Sequence, residues 1–324
     1  MDMPNCSCDK TNCHCYLVGV DGGGTKTVAA VSDCNGKVLA TAKAGPSNSR
    51  NVGFEKAAQT VVATAKEALE KVSGEKQIIS FVAGLASVDE EEGAIIEVIK
   101  KKLLAGEAGA DFSQAKITIT GDPYIAFRAG TAKKDGVVVI AGTGCVSFGW
   151  RAGKEAKTSG WGWLADEGSA YWVGQLAFRA VFNDLDGRGL ETALTKAVFR
   201  GLKVKTKEEL LKKVYGKDML TVLPLLSIIC DKVAQKGDLQ AKTIMADAGR
   251  ELAYSAITTI VKLGFGREKF PLVLAGGMFK SETLLKSFKK EMRELVSGKN
   301  LIVFKKEPVI GAIYLAREAA GPCG

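Results

Sequence analysis

Apolar and polar positions alternate in short blocks punctuated by glycines, then stretch into helical periods, and the whole pattern runs twice. Within Tyr16–Asp33 an apolar strand leads into Asp21, three glycines and Thr25-Lys26-Thr27, and a second apolar strand returns. Asn35-Gly36 signals a two-residue turn into a third strand, 37–43. The segment 45–53, GPSNSRNVG, is too rich in turn residues to be a helix. Ala58, Val61, Val62, Ala65, Leu69 and Val72 share one helical face, which predicts a helix over 55–72. A buried strand at 77–82, a helix at 90–104 and a strand at 116–120 complete the first half. That strand ends at Gly121-Asp122-Pro123.

The order then restarts. The pattern predicts a strand over 136–141, the turn Gly142-Thr143-Gly144, a returning strand over 145–151 and a turn at 152–154. A mainly helical stretch follows from 168 to 265, with Pro224 interrupting one helix. A strand at 270–275 runs into Gly276-Gly277, followed by a helix at 281–296, a strand at 300–304 and a last helix at 309–320. Two α/β units, each opening on a glycine-turn hairpin, argue for a duplicated fold.

The glycine hairpins are where chemistry is expected. Such a turn exposes backbone N–H groups that no side chain covers, a nest for phosphate oxygens. Asp21 stands where a hydrated Mg²⁺ on nucleotide phosphates wants a carboxylate. The alternative is a hairpin with no ligand, but three consecutive glycines exceed what a tight turn needs. The stretch is not a Walker A loop, since Thr25 follows Gly24 where that motif has Lys and a strand follows in place of a helix. Asp122, at the C-terminal edge of a strand, suits a general base for phosphoryl transfer; capping the helix that starts near Tyr124 is an equal reading of the residue alone.

Composition narrows the class. An apolar share of 46% with 25% charged residues fits a water-soluble globular chain, and no apolar run approaches the roughly 20 residues of a membrane span. The N-terminus lacks signal-peptide regions, so a cytoplasmic location and no membrane association are expected. The net charge of +9 is spread along the chain without aromatic interleaving, which favours an anionic small-molecule substrate over nucleic acid. Of the 8 cysteines, Cys6, Cys8, Cys13 and Cys15 surround the single histidine, His14. They offer soft ligands for a metal, but at spacings tighter than a zinc knuckle, so a tail over 1–15 without a built metal site is the favoured reading.

Four motifs in order, VGVDGGGTKT, GVVVIAGTGCV, GWGWLADEGSAYWVG and LAGGMF, with EPVIGAIYLA near the end, resemble the N-acetylglucosamine kinase and archaeal hexokinase group. That group is part of the BadF/BadG/BcrA/BcrD ATPase family of the actin–hexokinase–Hsp70 superfamily. The resemblance implies two duplicated ribonuclease H-like (actin-like ATPase) domains around a cleft, over 16–122 and 123–308, with the last helix packed back on the first domain. It implies an ATP- and Mg²⁺-dependent kinase for the 6-hydroxyl of a hexose or amino sugar, working as a homodimer. Asp21, Gly22, Gly23, Gly24, Thr25 and Lys26 would form the first phosphate loop, with Asp21 near Mg²⁺ through water. Gly142, Thr143 and Gly144 would form the second, and Gly276, Gly277 and Met278 a wall against adenosine. Asp122 would be the base. Asn48, Asp122, Thr143, Gly162, Asp166 and Glu167 would bind sugar, with Asn51 a further candidate. Trp161 and Trp163 would either stack on a sugar face or fill core. Cys145 departs from the family, which has Ser after Gly-Thr-Gly. The alternative is an ATP-driven activator of a 2-hydroxyacyl-CoA dehydratase or benzoyl-CoA reductase; a GGQD motif typical of that branch is missing from this sequence. A non-catalytic sugar-sensing module is disfavoured by Asp122 and both glycine loops.

Overall fold

A computed structural model of the chain describes residues 15–86, 93–217, 219–266, 268–293, 300–304 and 307–321. It is mixed α/β and forms two compact units, the first comprising 1–132 and 305–324, the second 133–304.

Unit 1 is built on a five-stranded sheet in the order β3-β2-β1-β4-β5. Strands β1 (Cys15–Gly22), β2 (Thr27–Asp33) and β3 (Val38–Ala44) are an antiparallel meander; β4 (Gln77–Leu85) and β5 (Lys116–Gly121) then add parallel to β1. Alternation along β1 sorts the two faces. Tyr16, Val18 and Val20 pack with the buried faces of α2 (Phe54–Glu70) and α3 (Gly93–Leu104). Cys15 and Leu17 face the other way, against Ile125 of α4 (Asp122–Gly130) and Ala312 and Ala316 of α11 (Val309–Ala320). Because α4 packs on α11 and β4, it belongs to unit 1, and the unit boundary falls ten residues later than the strand end at Asp122 suggests.

Unit 2 repeats the same strand order, as β8-β7-β6-β9-β10. Strands β6 (Gly136–Ala141), β7 (Cys145–Arg151) and β8 (Lys154–Ser159) form the meander, and β9 (Leu272–Ala275) and β10 (Leu301–Val303) extend it in parallel. Five helices, α5 (Ala170–Leu185), α6 (Ala193–Leu202), α7 (Lys207–Val214), α8 (Met219–Gln235) and α9 (Leu239–Lys262), separate β7-β8 from β9, and α10 (Glu282–Glu291) follows it.

Three local features depart from the sequence pattern. The polar segment 45–53 contains a one-turn helix, α1 (Ser49–Val52), because the Asn48 side chain accepts from the Arg50 N–H and caps it. Strand β8 has no apolar alternation to announce it; it pairs as an edge with β7. Pro224 does not interrupt its helix but lies inside α8. Proline removes the N–H that would reach the Leu220 carbonyl, and the Tyr171 hydroxyl donates to that carbonyl instead, at 2.5 Å.

Candidate active site

In unit 1 the sheet register assembles one edge. Gly22 of β1 stands opposite Leu85 of β4, which stands opposite Gly121 of β5. Asp21 and Asp122 therefore flank the end of β4, their backbones about 10 Å apart across two strand spacings. A side chain at Gly84, the ladder partner of Asp21, would put its Cβ 2.5 Å from Ile125, so the missing side chain lets α4 close down on this edge. The N-cap position of α4 falls on Gly121 and not on Asp122. Asp122 is thus the first helical residue and stands at the strand edge, half-buried.

The hairpin joining β1 to β2 has its carbonyls tied down. Gly22 O accepts from Ala86 N (2.9 Å) and Gly23 O from Ser47 N (3.1 Å). The Thr27 hydroxyl bonds the Ser47 hydroxyl and the Gly45 carbonyl, both at 2.8 Å, fastening the 45–48 segment beneath the turn. The N–H groups of Gly24, Thr25 and Lys26 make no backbone hydrogen bond among the described residues, and these three residues are exposed. This is the arrangement a phosphate oxygen fits. Asp21 is pushed up to about 6 by burial, against the pull of Lys26 and with a further push from Glu307. A cation is the natural complement of a carboxylate in that position.

Unit 2 repeats the backbone device with other partners. Gly142 O accepts from Ala170 N (2.9 Å) and Thr143 O from Tyr171 N (3.3 Å), so the first turn of α5 spends its free N–H groups on the glycine loop. Thr143 N and Gly144 N have no backbone partner among the described residues. The Cys145 thiol donates to Glu167 O at 3.1 Å, and burial pushes its pKa up to about 12, with Asp166 and Glu167 adding to the rise. Gly276 has φ of 102° and its backbone lies against Ala141, where a Cβ would stand 2.2 Å from the carbonyl oxygen. The turns Gly142–Gly144 and Gly276-Gly277 thus occupy one strand edge, with Ile140 and Ala275 in register.

Asp166, 3% exposed, accepts from Trp161 N (2.9 Å) through Oδ1 and from Gly162 N (3.0 Å) through Oδ2. It pins the 161–166 segment as a closed loop, with Trp161 75% exposed and its ring under the Lys157 ammonium. Trp161 therefore does not fill core. Glu167 is exposed and hydrogen-bonds Glu251 of α9, whose pKa is raised by burial and by the Glu167 charge.

The profile of the BadF/BadG/BcrA/BcrD ATPase family matches residues 18–316. The chain belongs to that family. An N-acetylmuramic acid/N-acetylglucosamine kinase of Clostridium acetobutylicum is 31% identical over 308 residues, covering 93% of this chain and 98% of its own length. An N-acetyl-D-glucosamine kinase of Dictyostelium discoideum is 31% identical over 316 residues, with 93% and 97% covered. A solved structure from Chromobacterium violaceum, described as an N-acetylglucosamine kinase, superposes with a TM-score of 0.69 at 24% identity over 93% of this chain and 98% of its own, a likeness of fold.

In this member of the BadF-type family, some expected site residues serve the scaffold. Met278 is buried in the unit 2 core, in a 3₁₀ turn over Gly277–Lys280, so of Gly276, Gly277 and Met278 only the two glycines are exposed. Asn48 spends its side-chain oxygen on the α1 cap, leaving its amide nitrogen without a hydrogen bond among the described residues. Cys6, Cys8, Cys13 and His14 lie outside the described residues. Cys15 is no part of a tail: it is buried in β1 and its thiol faces Gln77 Oε1 at 3.6 Å. Among the described residues no three His, Cys, Asp or Glu side chains could hold a metal together, and no helix is long and apolar enough to cross a membrane.

Two residues at this edge were not singled out in the sequence. Glu307, next to the N-cap of α11, accepts from Lys26 Nζ (3.0 Å) and Lys43 Nζ (3.1 Å) on the same Oε1. Burial alone would raise its pKa; the two lysines outweigh that and hold it below the usual carboxylate range. Glu307 lies inside the EPVIGAIYLA motif, but its partners are 281 and 264 residues away.

Proposed function

We propose that the protein is an ATP-dependent sugar kinase that transfers the γ-phosphoryl group to the 6-hydroxyl of a hexose or amino sugar, with N-acetylglucosamine the first substrate to try. Membership of an ATPase family and the two kinases 31% identical over nearly the whole chain support the class. The observation that carries the reading within this chain is the shared edge of unit 1, where Asp21 beside the phosphate-type hairpin and Asp122 flank one strand end.

In the proposed roles, the N–H groups of Gly24, Thr25 and Lys26 and the Lys26 ammonium take phosphate oxygens, and those of Thr143 and Gly144 serve likewise. Bound Mg²⁺ would neutralise phosphate charge, and Asp21 is the residue to hold its water shell. Asp122 accepts the proton of the sugar hydroxyl as it attacks. The amide of Asn48, the Gly162 backbone and Glu167 are the sugar-side candidates. Asp166 acts on the sugar through the loop it closes, its carboxylate being held by two backbone N–H groups. Gly276 and Gly277 leave room for the adenosine. The same reading expects a homodimer, which light scattering tests.

The decisive experiment is a coupled assay of ADP release over glucose, glucosamine, N-acetylglucosamine and N-acetylmuramic acid, with Asp122→Asn beside the wild type. Sugar-dependent turnover lost in Asp122→Asn supports the proposal. No sugar-dependent turnover at all would sink the kinase reading, and turnover undiminished in Asp122→Asn would sink the assignment of the base.

A further inference from the structure

Three charged groups meet beside the β1–β2 hairpin without being explained by folding. Lys26 is the last residue of the turn, and Lys43 enters from β3, where it pairs in register with Val28 of β2. Both ammonium groups donate to the same oxygen of Glu307, so their nitrogens lie within about 6 Å of one another. Two like charges held that close need an anion between them. The carboxylate that supplies it stands next to the Pro308 cap of α11, and α11 packs on β1 through Ile313 and Ala312 at Gly19. The anion is therefore on a fixed mount. The two cations are on flexible stems, with side chains 52% and 61% exposed.

We propose that Lys43 is a second phosphate-binding cation, and that the Glu307 carboxylate occupies, in the nucleotide-free protein, the place between Lys26 and Lys43 that an oxygen of the bound polyphosphate takes. The inference rests on reading the hairpin as a phosphate site and adds to it a cation and a built-in competitor. The chemistry favours exchange. An exposed ion pair contributes little to stability, so giving it up is cheap. A polyphosphate brings several negative charges and also bonds the N–H groups of Gly24, Thr25 and Lys26, which the single Glu307 oxygen does not. Glu307 sets how much of the lysines' attraction is available to the ligand. It keeps the empty hairpin from holding singly charged anions, and it returns to the lysines as product leaves.

The test is calorimetric titration of the full chain with inorganic tripolyphosphate and, separately, with ATP and Mg²⁺. The wild type is compared with Glu307→Gln, Lys43→Met and the double variant. Removing a competitor predicts that Glu307→Gln binds tripolyphosphate about two- to five-fold tighter, the range expected from freeing an exposed ion pair. Lys43→Met should bind several-fold more weakly and with a shallower salt dependence, and the double variant should bind more tightly than Lys43→Met, because Glu307 still pairs with Lys26 there. In turnover, Glu307→Gln should lower KM for ATP without raising kcat. If Glu307→Gln binds tripolyphosphate with unchanged or weaker affinity, the carboxylate only props up the lysines and the inference is overturned. If Lys43→Met binds as the wild type does, Lys43 is not a phosphate residue and that half falls. A wild type that binds neither tripolyphosphate nor ATP removes the phosphate-hairpin reading itself, which separates that failure from the other two.

Discussion

The two glycine hairpins are the same backbone device carrying different chemistry. Each follows the first strand of a meander, and each has its carbonyls bound by neighbouring N–H groups while amides at its tip have no backbone partner among the described residues. In unit 1 the carbonyls are held by Ala86 and Ser47, and the turn is flanked by Asp21 and Lys26, with Glu307 and Lys43 behind. In unit 2 they are held by the first turn of α5, and the flanking residues Ala141 and Cys145 carry no charge. The two turns thus share a backbone design and differ in flanking charge, which gathers at the turn of unit 1. The other is braced by a helix and a thiol.

If that division is right, removing a carboxylate from the unit 1 edge has the largest effect in the protein. Asp122→Asn should lower kcat by roughly a thousand-fold, about 4 kcal/mol, the usual size of general-base catalysis. Affinity for ATP should stay within about two-fold, because Asp122 lies two strands from the hairpin. Steady-state kinetics with an ATP-binding titration separates the two. A comparable kcat loss from a variant at Glu167 with Asp122→Asn still active would reverse the division of labour.

Asp21 sharpens the contrast from the stability side. Its folded pKa, about 6, lies above the ordinary 3.8 because burial disfavours the charge. For an acid raised in this way the folded state binds the proton more tightly, so stability falls as pH rises from about 4 to 6 and stays reduced above. The neutral isostere Asp21→Asn should therefore stabilise unit 1 by up to about 3 kcal/mol at pH 7.5 and leave it unchanged near pH 4. The same variant should lose Mg²⁺-dependent turnover. Differential calorimetry at the two pH values checks the first claim; a destabilised Asp21→Asn at pH 7.5 would show that the carboxylate is there for the fold.

How much of this could be read from the chain depended on sequence distance. The hairpin around Asp21 and the edge position of Asp122 are local signals, an apolar run meeting glycines or an Asp-Pro, and they survive intact in the structure. The Lys26–Lys43–Glu307 cluster is invisible because nothing local pairs a turn lysine with a helix start 281 residues later. Pro224 looked like a break because the hydroxyl that satisfies its orphaned carbonyl belongs to Tyr171, 49 residues from Leu220. Strand β8, KEAKTS, is polar apart from Ala156, and it pairs along the open edge of β7. Asp166 was legible as an acid before a helix, but its two backbone donors come from the loop's own closure, which spacing alone does not reveal.

Asp166 gives the corresponding test in unit 2. All four tryptophans, Trp150, Trp161, Trp163 and Trp172, lie in that unit, so intrinsic fluorescence reports on it alone. Asp166→Ala strands the Trp161 and Gly162 N–H groups and should cost about 2 kcal/mol in a fluorescence-detected unfolding curve. Phosphate affinity at unit 1 should be unaffected. An Asp166→Ala protein that is as stable as the wild type but binds sugar more weakly would make the carboxylate a direct sugar ligand, and unit 2 more than a brace.

Cys145 makes the smallest and most specific prediction, because its buried thiol ties the glycine loop to the Glu167 carbonyl. Burial pushes both Cys145 and Cys230 up to about 12. Above the ordinary thiol range, near pH 9, the unfolded chain ionises these thiols and the folded unit does not, so the unfolded state binds fewer protons. Stability then falls with rising pH, by about 1.4 kcal/mol per pH unit for each thiol until the folded groups ionise near 12. Cys145→Ser keeps a donor for the Glu167 carbonyl, and a hydroxyl is a stronger donor than a thiol. It should change stability by less than about 1 kcal/mol at pH 7.5. Between pH 9 and 11 it should roughly halve the alkaline loss, leaving the Cys230 share. Fluorescence-detected urea unfolding at pH 7.5, 9 and 10.5 measures both slopes. Identical alkaline slopes for wild type and Cys145→Ser would mean that the thiol ionises freely in the folded unit, and that the contact joining the glycine loop to the Asp166–Glu167 loop does not brace unit 2.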